Sequence, residues 1–310
     1  MLSEYEKFKE AVEKALCNLP LLSAFGRELT PEASLLPPPD GAIPEPLRSA
    51  MAYSLWLPGK RLRPVLLLAA YTLVREDWET ALPFACALEM IHTYSLVHDD
   101  LPALDDDALR RGKPTNHVVF GENMAVLAGD GLLNFAYETM LAADCSEKNP
   151  GRALAAMGEI AARAGVRGMI AGQTLDVKLE GNDPKAELVA YIHRHKTADL
   201  LTAPVAAGLL LAGASPEQVE AGRAYGAKLG LAFQIVDDLL DITGDAAVLG
   251  KETGMDAARG KMTWPAVHGV EVARRDAEIA VEGAMRALDV FGEKGNFLCE
   301  LAKETLVRVM

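Results

Sequence analysis

The stretch EQVEAGRAYGAKLGLAFQIVDDLLDI, Glu217–Ile242, reads as one unbroken helix. The Gly213–Pro216 turn precedes it and supplies a Ser-Pro start of the kind common at helix entries. An α-helix turns about 100° per residue. Asp237 and Asp241, four apart, therefore share one face to within about 40°, and Gln234 lies one turn earlier on that face. Like charges at this spacing repel, and aspartate is a modest helix former. Carboxylates gathered at the end of an apolar, core-lining helix therefore call for a reason.

The rest of the chain shares the helical reading. Alanine and leucine abound, aromatic residues make up only 6%, and alternating runs of Val, Ile and Thr are scarce, which argues against sheet. Further helices are predicted over Ser3–Asn18, Glu45–Leu57, Arg61–Val74, Leu82–Val97, Glu122–Ala143, Arg152–Ala164, Arg167–Glu180, Lys185–Leu211, Trp264–Phe291 and Asn296–Val309. Leu29–Pro44, with five prolines, is a loop, and Asp144–Gly151 and Gly181–Pro184 read as short turns. Short connections between long helices favour antiparallel neighbours in one bundle. The expected fold is all-α, with residues 1–310 forming a single domain.

The 310 residues suffice for a substantial core, and half of them are hydrophobic, which excludes long disorder. The net charge of −13 makes nucleic acid a poor partner, because such binding needs a basic face to displace counterions. Cys17, Cys86, Cys145 and Cys299 are far apart and suit neither a zinc site nor a disulfide framework; reduced thiols in a cytoplasm are expected. The start, MLSEYEKFKEAVEKAL, is charged and amphipathic, unlike a signal peptide. The longest apolar stretches, Pro64–Val74 and Leu200–Ala214, fall short of the ~20 residues that cross a bilayer, so a soluble, cytoplasmic protein is expected.

A second acidic cluster, HDDLPALDDD, spans His98–Asp107. Asp99 and Asp105 are six apart, about 120° on an ideal helix, and converge only if the chain distorts near Leu101-Pro102, as a proline would make it do. Solvated helix ends are the plain account of both clusters. Cations close by favour another, a hard divalent cation held by a few carboxylates and completed by substrate phosphates. Gly59-Lys60-Arg61-Leu62-Arg63-Pro64 opens a helix, Arg110-Arg111-Gly112-Lys113 follows the first cluster, His195-Lys196-Thr197 lies on a long helix, and Lys251 and Lys261 flank a glycine-rich loop. Together they offer several N–H donors to anionic oxygens. That loop is no P-loop, since Asp245 and Met255 stand where the motif needs glycine, and there is no GxGxxG, GxSxG or HExxH. His92, seven residues before Asp99, shares its face, and on pattern alone it reads as a core histidine.

These residues carry a resemblance. GKRLRP (Gly59–Pro64), IHTYSLVHDDLPALDDDALRRGKPTNH (Ile91–His117), FGENMAVLAGD (Phe120–Asp130), GMIAGQTLDVKLEG (Gly168–Gly181), HRHKT (His193–Thr197), FQIVDDLLDITGD (Phe233–Asp245) and LGKETGMDAARGKMTWP (Leu249–Pro265) match, in order, the motifs of the trans-isoprenyl diphosphate synthases. The chain resembles that family over nearly its whole length, and within it the bacterial enzymes that make farnesyl diphosphate.

The resemblance implies a helical bundle of the isoprenoid synthase type with a central apolar cavity, usually a homodimer. The implied reaction condenses isopentenyl diphosphate with dimethylallyl or geranyl diphosphate. The allylic diphosphate ionises, the isopentenyl double bond attacks, and a proton leaves. It implies Mg²⁺ held by Asp99, Asp100, Asp105, Asp237, Asp238 and Asp241 and bridged to the allylic diphosphate. Arg110, Lys196, Thr197, Gln234, Lys251 and Lys261 would contact that diphosphate; Lys60, Arg63, His92 and Arg111 would bind that of isopentenyl diphosphate, displacing the core reading of His92. Gln173 and Asp176 would line the site, and Tyr94 or Ser95, about one turn before Asp99, would set product length. The physics agrees: diphosphate leaves only when its charge is neutralised, and a carbocation must be kept from water, as in an apolar cavity. The chain departs from the family at Pro58, where a glycine is usual, and at Trp56, where a smaller aliphatic is expected. A geranylgeranyl diphosphate synthase, a terpene cyclase and a non-catalytic partner subunit are the alternatives; the presence of both acidic motifs and of GKRLRP argues against the last two.

Overall fold

Helices carry nearly all of the chain that the computed structural model describes, namely residues 2–19, 22, 29–30, 38, 40–243 and 260–307. Among the described residues the only strands are Leu109–Arg110 and Lys113–Pro114, paired as a two-stranded antiparallel hairpin. No described helix is long and apolar enough to cross a membrane. The chain divides into two compact units, one of Leu2–Val65 and Glu79–Lys148, the other of Leu66–Trp78 and Asn149–Met310.

The first unit is built on the Leu82–Asp99 helix, which begins with Pro83 in its first turn. Proline suits that position, because the N–H it lacks would have no helical partner there. Buried residues from Phe84 to Val97 lie all round this helix, the mark of one enclosed by others. It packs against Glu122–Leu141, with Leu2–Cys17 and Leu47–Trp56 beside it. Burying a large apolar side chain of this kind stabilises by roughly 1.5–3 kcal/mol. The helix thus fixes whatever its C-terminal end carries.

The second unit is built on Asp199–Ala212, buried over almost its whole length. Pro150–Ala164 and Pro216–Thr243 pack on it, and Val270–Ala287 packs on Pro216–Thr243. Gly222, Gly226 and Gly230, one turn apart, form a stripe facing it. A methyl group at these positions would come within 2.3 Å of Leu209, 2.5 Å of Thr202 and 2.3 Å of Ala198. The bare backbone therefore lets the helix bearing the second acidic motif lie unusually close to its neighbour.

Several boundaries differ from expectation. The predicted Lys185–Leu211 helix is Ala186–Ile192, a π-helical turn His193–Ala198, and then Asp199–Ala212. The predicted Trp264–Phe291 helix breaks at Gly269, whose φ of 82° lies outside helical space, into Trp264–His268 and Val270–Ala287. Asp144–Lys148, read as a turn, is a short helix, and Asn116–Phe120 is another that the sequence pattern did not mark.

Candidate active site

The Leu82–Asp99 helix stops at Asp99, three residues before Pro102, rather than kinking at it. The chain then folds back: the Asp105 N–H donates to the Asp99 carbonyl at 2.8 Å, and the Asp106 N–H to the Leu101 carbonyl at 3.1 Å. Asp105 returns to Asp99 in this way despite their angular separation on an ideal helix. Asp100 points inward and is only 3% exposed, whereas Asp99 and Asp105 are half-buried.

The hairpin supplies Asp100 with a partner. Its turn residues, Arg111 and Gly112, have φ of 54° and 73°, the left-handed pair that a tight two-residue hairpin requires. The turn places Arg110 so that its Nε donates to Asp100 Oδ1 at 2.7 Å and its Nη2 to the same oxygen at 2.5 Å; Nη2 also reaches Asp107 at 3.4 Å. Burial pushes the Asp100 carboxyl above the ordinary range, and the Arg110 hydrogen bonds pull it back only in part.

Arg111 lies against the GKRLRP segment. Its Nη1 donates to the carbonyls of Leu57 and Pro58, each at 3.2 Å. A methyl at Gly59 would sit 2.6 Å from that nitrogen, so glycine is what leaves room for the guanidinium. Pro58 contributes a carbonyl, which proline retains, and Trp56 turns its indole N–H to the Leu16 carbonyl at 3.2 Å. Both departures from the family pattern are thereby absorbed. Arg61, which the sequence did not single out, anchors the segment with φ of 53° and a buried side chain donating to Glu89 at 2.6 Å and to the Leu57 carbonyl at 2.7 Å.

Lys60 is exposed, and Arg63 and His92 are half-buried. His92 is held neutral. Its withdrawal from water, followed by the charges of Arg63, Arg111, Arg110 and Arg61, keeps its pKa well below 6.5. The unit therefore brings Arg63, Arg111 and His92 into one basic neighbourhood suited to an anion. Tyr94 is 6% exposed and meets the His98 ring edge to face at 5.8 Å; burial, with smaller effects of Tyr137 and Asp99, pushes its phenol up to about 12. The Ser95 hydroxyl instead donates to the His92 carbonyl of its own helix at 2.9 Å.

In the second unit the π turn sets the geometry. Gly172 allows its close approach, since a methyl there would lie 2.1 Å from the Lys196 nitrogen. Lys196 Nζ donates to Asp176, and the Thr197 hydroxyl to Gln234 Oε1 at 2.5 Å. Gln234 Nε2 in turn donates to Asp238 Oδ1 at 2.9 Å. Asp176, Lys196, Thr197, Gln234, Asp238 and Lys261 line one small polar cleft of about 90 Å³; Gln173 lies outside that lining. Asp238 and Asp241 are buried, at 2% and 4% exposure, while Asp237 is half-buried. Lys251 falls outside the described residues.

Sequence reasoning gave no role to His193 or Trp264. His193 Nε2 lies 3.1 Å from Asp238 Oδ2, and the Trp264 backbone N–H donates to that oxygen at 2.8 Å. It also passed over the network behind the π turn, where His195 and Arg163 both engage Asp199 at 2.7 Å and Arg163 and Arg223 share Glu159.

The donor set suits Mg²⁺. Among the described residues no three Asp, Glu, His or Cys side chains gather tightly enough to hold an ion by themselves. Mg²⁺ is commonly bound through one or two carboxylates with substrate phosphates completing its shell; within the first unit the more exposed Asp99 and Asp105 offer such oxygens, and within the second Asp237 does.

The family model described as polyprenyl synthetase matches residues 44–287. The chain is 49% identical over 247 residues to the heterodimeric geranylgeranyl pyrophosphate synthase large subunit 1 of Arabidopsis thaliana, covering 77% of this chain and 67% of that protein. It is 47% identical over 261 residues to the farnesyl diphosphate synthase of Geobacillus stearothermophilus, covering 83% and 88%. A crystal structure of a geranyltransferase from Helicobacter pylori, complexed with magnesium and isoprenyl diphosphate, superposes with a TM-score of 0.79 at 31% identity, covering 99% of this chain and 96% of that one. The chain belongs to the polyprenyl synthetase family: it is a short-chain prenyltransferase of the farnesyl and geranylgeranyl diphosphate synthase type, in a family that works with a divalent metal.

Proposed function

We propose that this prenyltransferase condenses isopentenyl diphosphate with dimethylallyl and then geranyl diphosphate and stops at farnesyl diphosphate, with residues 1–310 acting as one catalytic domain in a cytoplasmic homodimer. The observation that carries the C15 product is Tyr94, a bulky ring 6% exposed on the same helix as Asp99 and five residues before it. A chain growing along that helix meets the ring within about one and a half turns.

Asp99, Asp105 and Asp237 would hold Mg²⁺ carrying the allylic diphosphate. The metal supplies neutralisation of the departing diphosphate. The chain's own residues do the remaining work. Lys196, Thr197, Gln234, Lys251 and Lys261 hold the allylic diphosphate oxygens. Lys60, Arg63, Arg111 and neutral His92 hold those of isopentenyl diphosphate. Arg110 and Asp100 keep each other in place beside Asp99. Asp238, buried and hydrogen-bonded to the Gln234 amide, would orient that side chain, and buried Asp241 would stand with Asp237 among the carboxylates of the metal site. The proton lost in the final step goes to an oxygen of the departed diphosphate.

A geranylgeranyl product is the second reading, favoured by the plant relative at 49% identity. Chromatography of products from labelled isopentenyl diphosphate with geranyl or farnesyl diphosphate decides between them. Mainly C15, with farnesyl diphosphate left unextended, is expected; mainly C20 overturns the farnesyl reading. Tyr94→Ala is expected to move the product toward C20, and an unchanged chain length would remove Tyr94 as the stop.

A further inference from the structure

We propose that His193 is a positioning residue for the second acidic motif, donating from Nε2 to Asp238 and through it fixing Gln234 and Asp237; this rests on the reading that those two residues serve the allylic diphosphate and its metal.

His193 opens the π turn and is 2% exposed. Asp238 Oδ2 lies 3.1 Å from its Nε2 and also accepts the Trp264 N–H at 2.8 Å, while Oδ1 accepts the Gln234 amide at 2.9 Å. An ionised carboxylate has about four lone-pair positions, so this frame fills most of them with donors from three separate segments. The imidazole also stacks on the Trp264 indole, with centroids 5.5 Å apart and planes at 26°. The indole N–H is tied to Asp276 at 2.9 Å. Ring, indole and backbone amide thus form one wall around the carboxylate.

The tautomer follows from the surroundings. His193 Nδ1 is buried and has no hydrogen-bond partner. A neutral imidazole carries one N–H. On Nδ1 that proton would be wasted, and the Nε2 lone pair would face a carboxylate oxygen; on Nε2 it completes a hydrogen bond.

The consequence reaches the site through Asp238. With Asp238 fixed, Gln234 must turn its amide nitrogen toward it and its Oε1 toward Thr197, whose hydroxyl donates at 2.5 Å. The same anchoring holds the helix face on which Asp237 is presented. His193 does this without touching substrate, as an outer partner that orients the groups that do.

His193→Leu keeps bulk but removes the donor, and His193→Gln restores an N–H near the Nε2 position. With folding checked by urea melts, His193→Leu is expected to raise the KM for geranyl diphosphate or the half-saturating Mg²⁺ concentration by about tenfold. The KM for isopentenyl diphosphate should stay within about twofold, and His193→Gln should recover most of the loss. Unchanged geranyl and Mg²⁺ dependence in folded His193→Leu, or a folded Gln variant no better than Leu, overturns the proposal, since packing alone would then account for the residue. Long-range ¹H–¹⁵N spectra of the wild-type protein need no variant to fold: a proton on His193 Nε2 is expected, and its absence overturns the proposal. Wild-type protein that joins no isopentenyl diphosphate to geranyl diphosphate would sink the prenyltransferase assignment, while the spectra would still decide the His193–Asp238 bond.

Discussion

Asp100 and Asp238 hold the same place in their motifs, the second of an adjacent pair, and are almost equally buried at 3% and 2% exposure. They are held by different means. Asp100 faces a guanidinium carried on a hairpin, with Arg110 itself 29% exposed. Asp238 faces an amide, a backbone N–H and an imidazole, each from packed helical structure. In both motifs the other member of the pair, Asp99 or Asp237, is the more open one. One motif uses a full charge on a partly exposed side chain, which salt can screen; the other uses an amide, an imidazole and a backbone N–H held in packed helical structure, on which salt acts less.

The division between open and fixed aspartates can be broken by rate measurements, and here the largest effect is expected. Asp99→Ala and Asp237→Ala should each lower kcat on the order of 10³-fold, the scale of losing a group that stabilises charge in the transition state. Their urea midpoints should stay near that of the wild type, because neither carboxylate is deeply buried. EDTA should stop the wild-type enzyme and added Mg²⁺ should restore it. Near-normal turnover by both variants at saturating Mg²⁺ would remove the open aspartates from the chemistry.

The contrast in means predicts a smaller difference in stability. Asp238→Ala strands three donors, the buried His193 imidazole and the part-buried Gln234 amide and Trp264 N–H, each unmet group costing up to about 1–3 kcal/mol. Asp100→Ala strands one partly exposed guanidinium, which can turn to Asp107 or to water, for roughly 1.5–3 kcal/mol, the worth of a hydrogen bond to a charged group. Urea melts should therefore rank Asp238→Ala below Asp100→Ala. Raising NaCl from about 0.1 M to about 1 M should shrink the cost of Asp100→Ala and change that of Asp238→Ala less. The reverse ranking, or equal salt dependence, would mean that the two carboxylates are held alike.

The sequence carried the open aspartates more plainly than their supports. Both acidic motifs stand out because carboxylates break an apolar run, and the long helices are legible because their periodicity is long. The π turn at His193–Ala198 left no trace: one extra residue per turn changes neither composition nor hydropathy in the Lys185–Leu211 run. His193 was invisible for the same reason, since a single buried imidazole has no period. Arg61 was masked by Lys60 and Arg63, and only its backbone conformation and its Glu89 partner show that it anchors the segment rather than facing an anion. Pro102 foretold a distortion after Asp99, but the helix ends earlier, because the Asp105 and Asp106 amides find the Asp99 and Leu101 carbonyls as alternative partners. Such supports depend on contacts distant in sequence, as between Trp264 and Asp238.

The cationic character of the first motif's surroundings should also register in pH dependence, the smallest of these effects. His92 is kept neutral by its removal from water and by Arg63, Arg111, Arg110 and Arg61, so its folded pKa lies well below 6.5. In the unfolded chain it titrates near the reference value of about 6.5. Below that pH the unfolded state binds a proton that the folded state refuses, so stability falls as pH falls. Above it both states are neutral and His92 adds no slope. The loss approaches about 1.4 kcal/mol per pH unit once the unfolded imidazole is charged and ends only at the folded pKa. His92→Gln cannot take up the proton. Between about pH 7.5 and about pH 5.5 the wild type should lose roughly 1 kcal/mol more than the variant, after other groups cancel in the comparison. Equal losses would mean that His92 accepts its proton in the folded protein as readily as in the unfolded chain, and that the arginines around it do not act on it as a group.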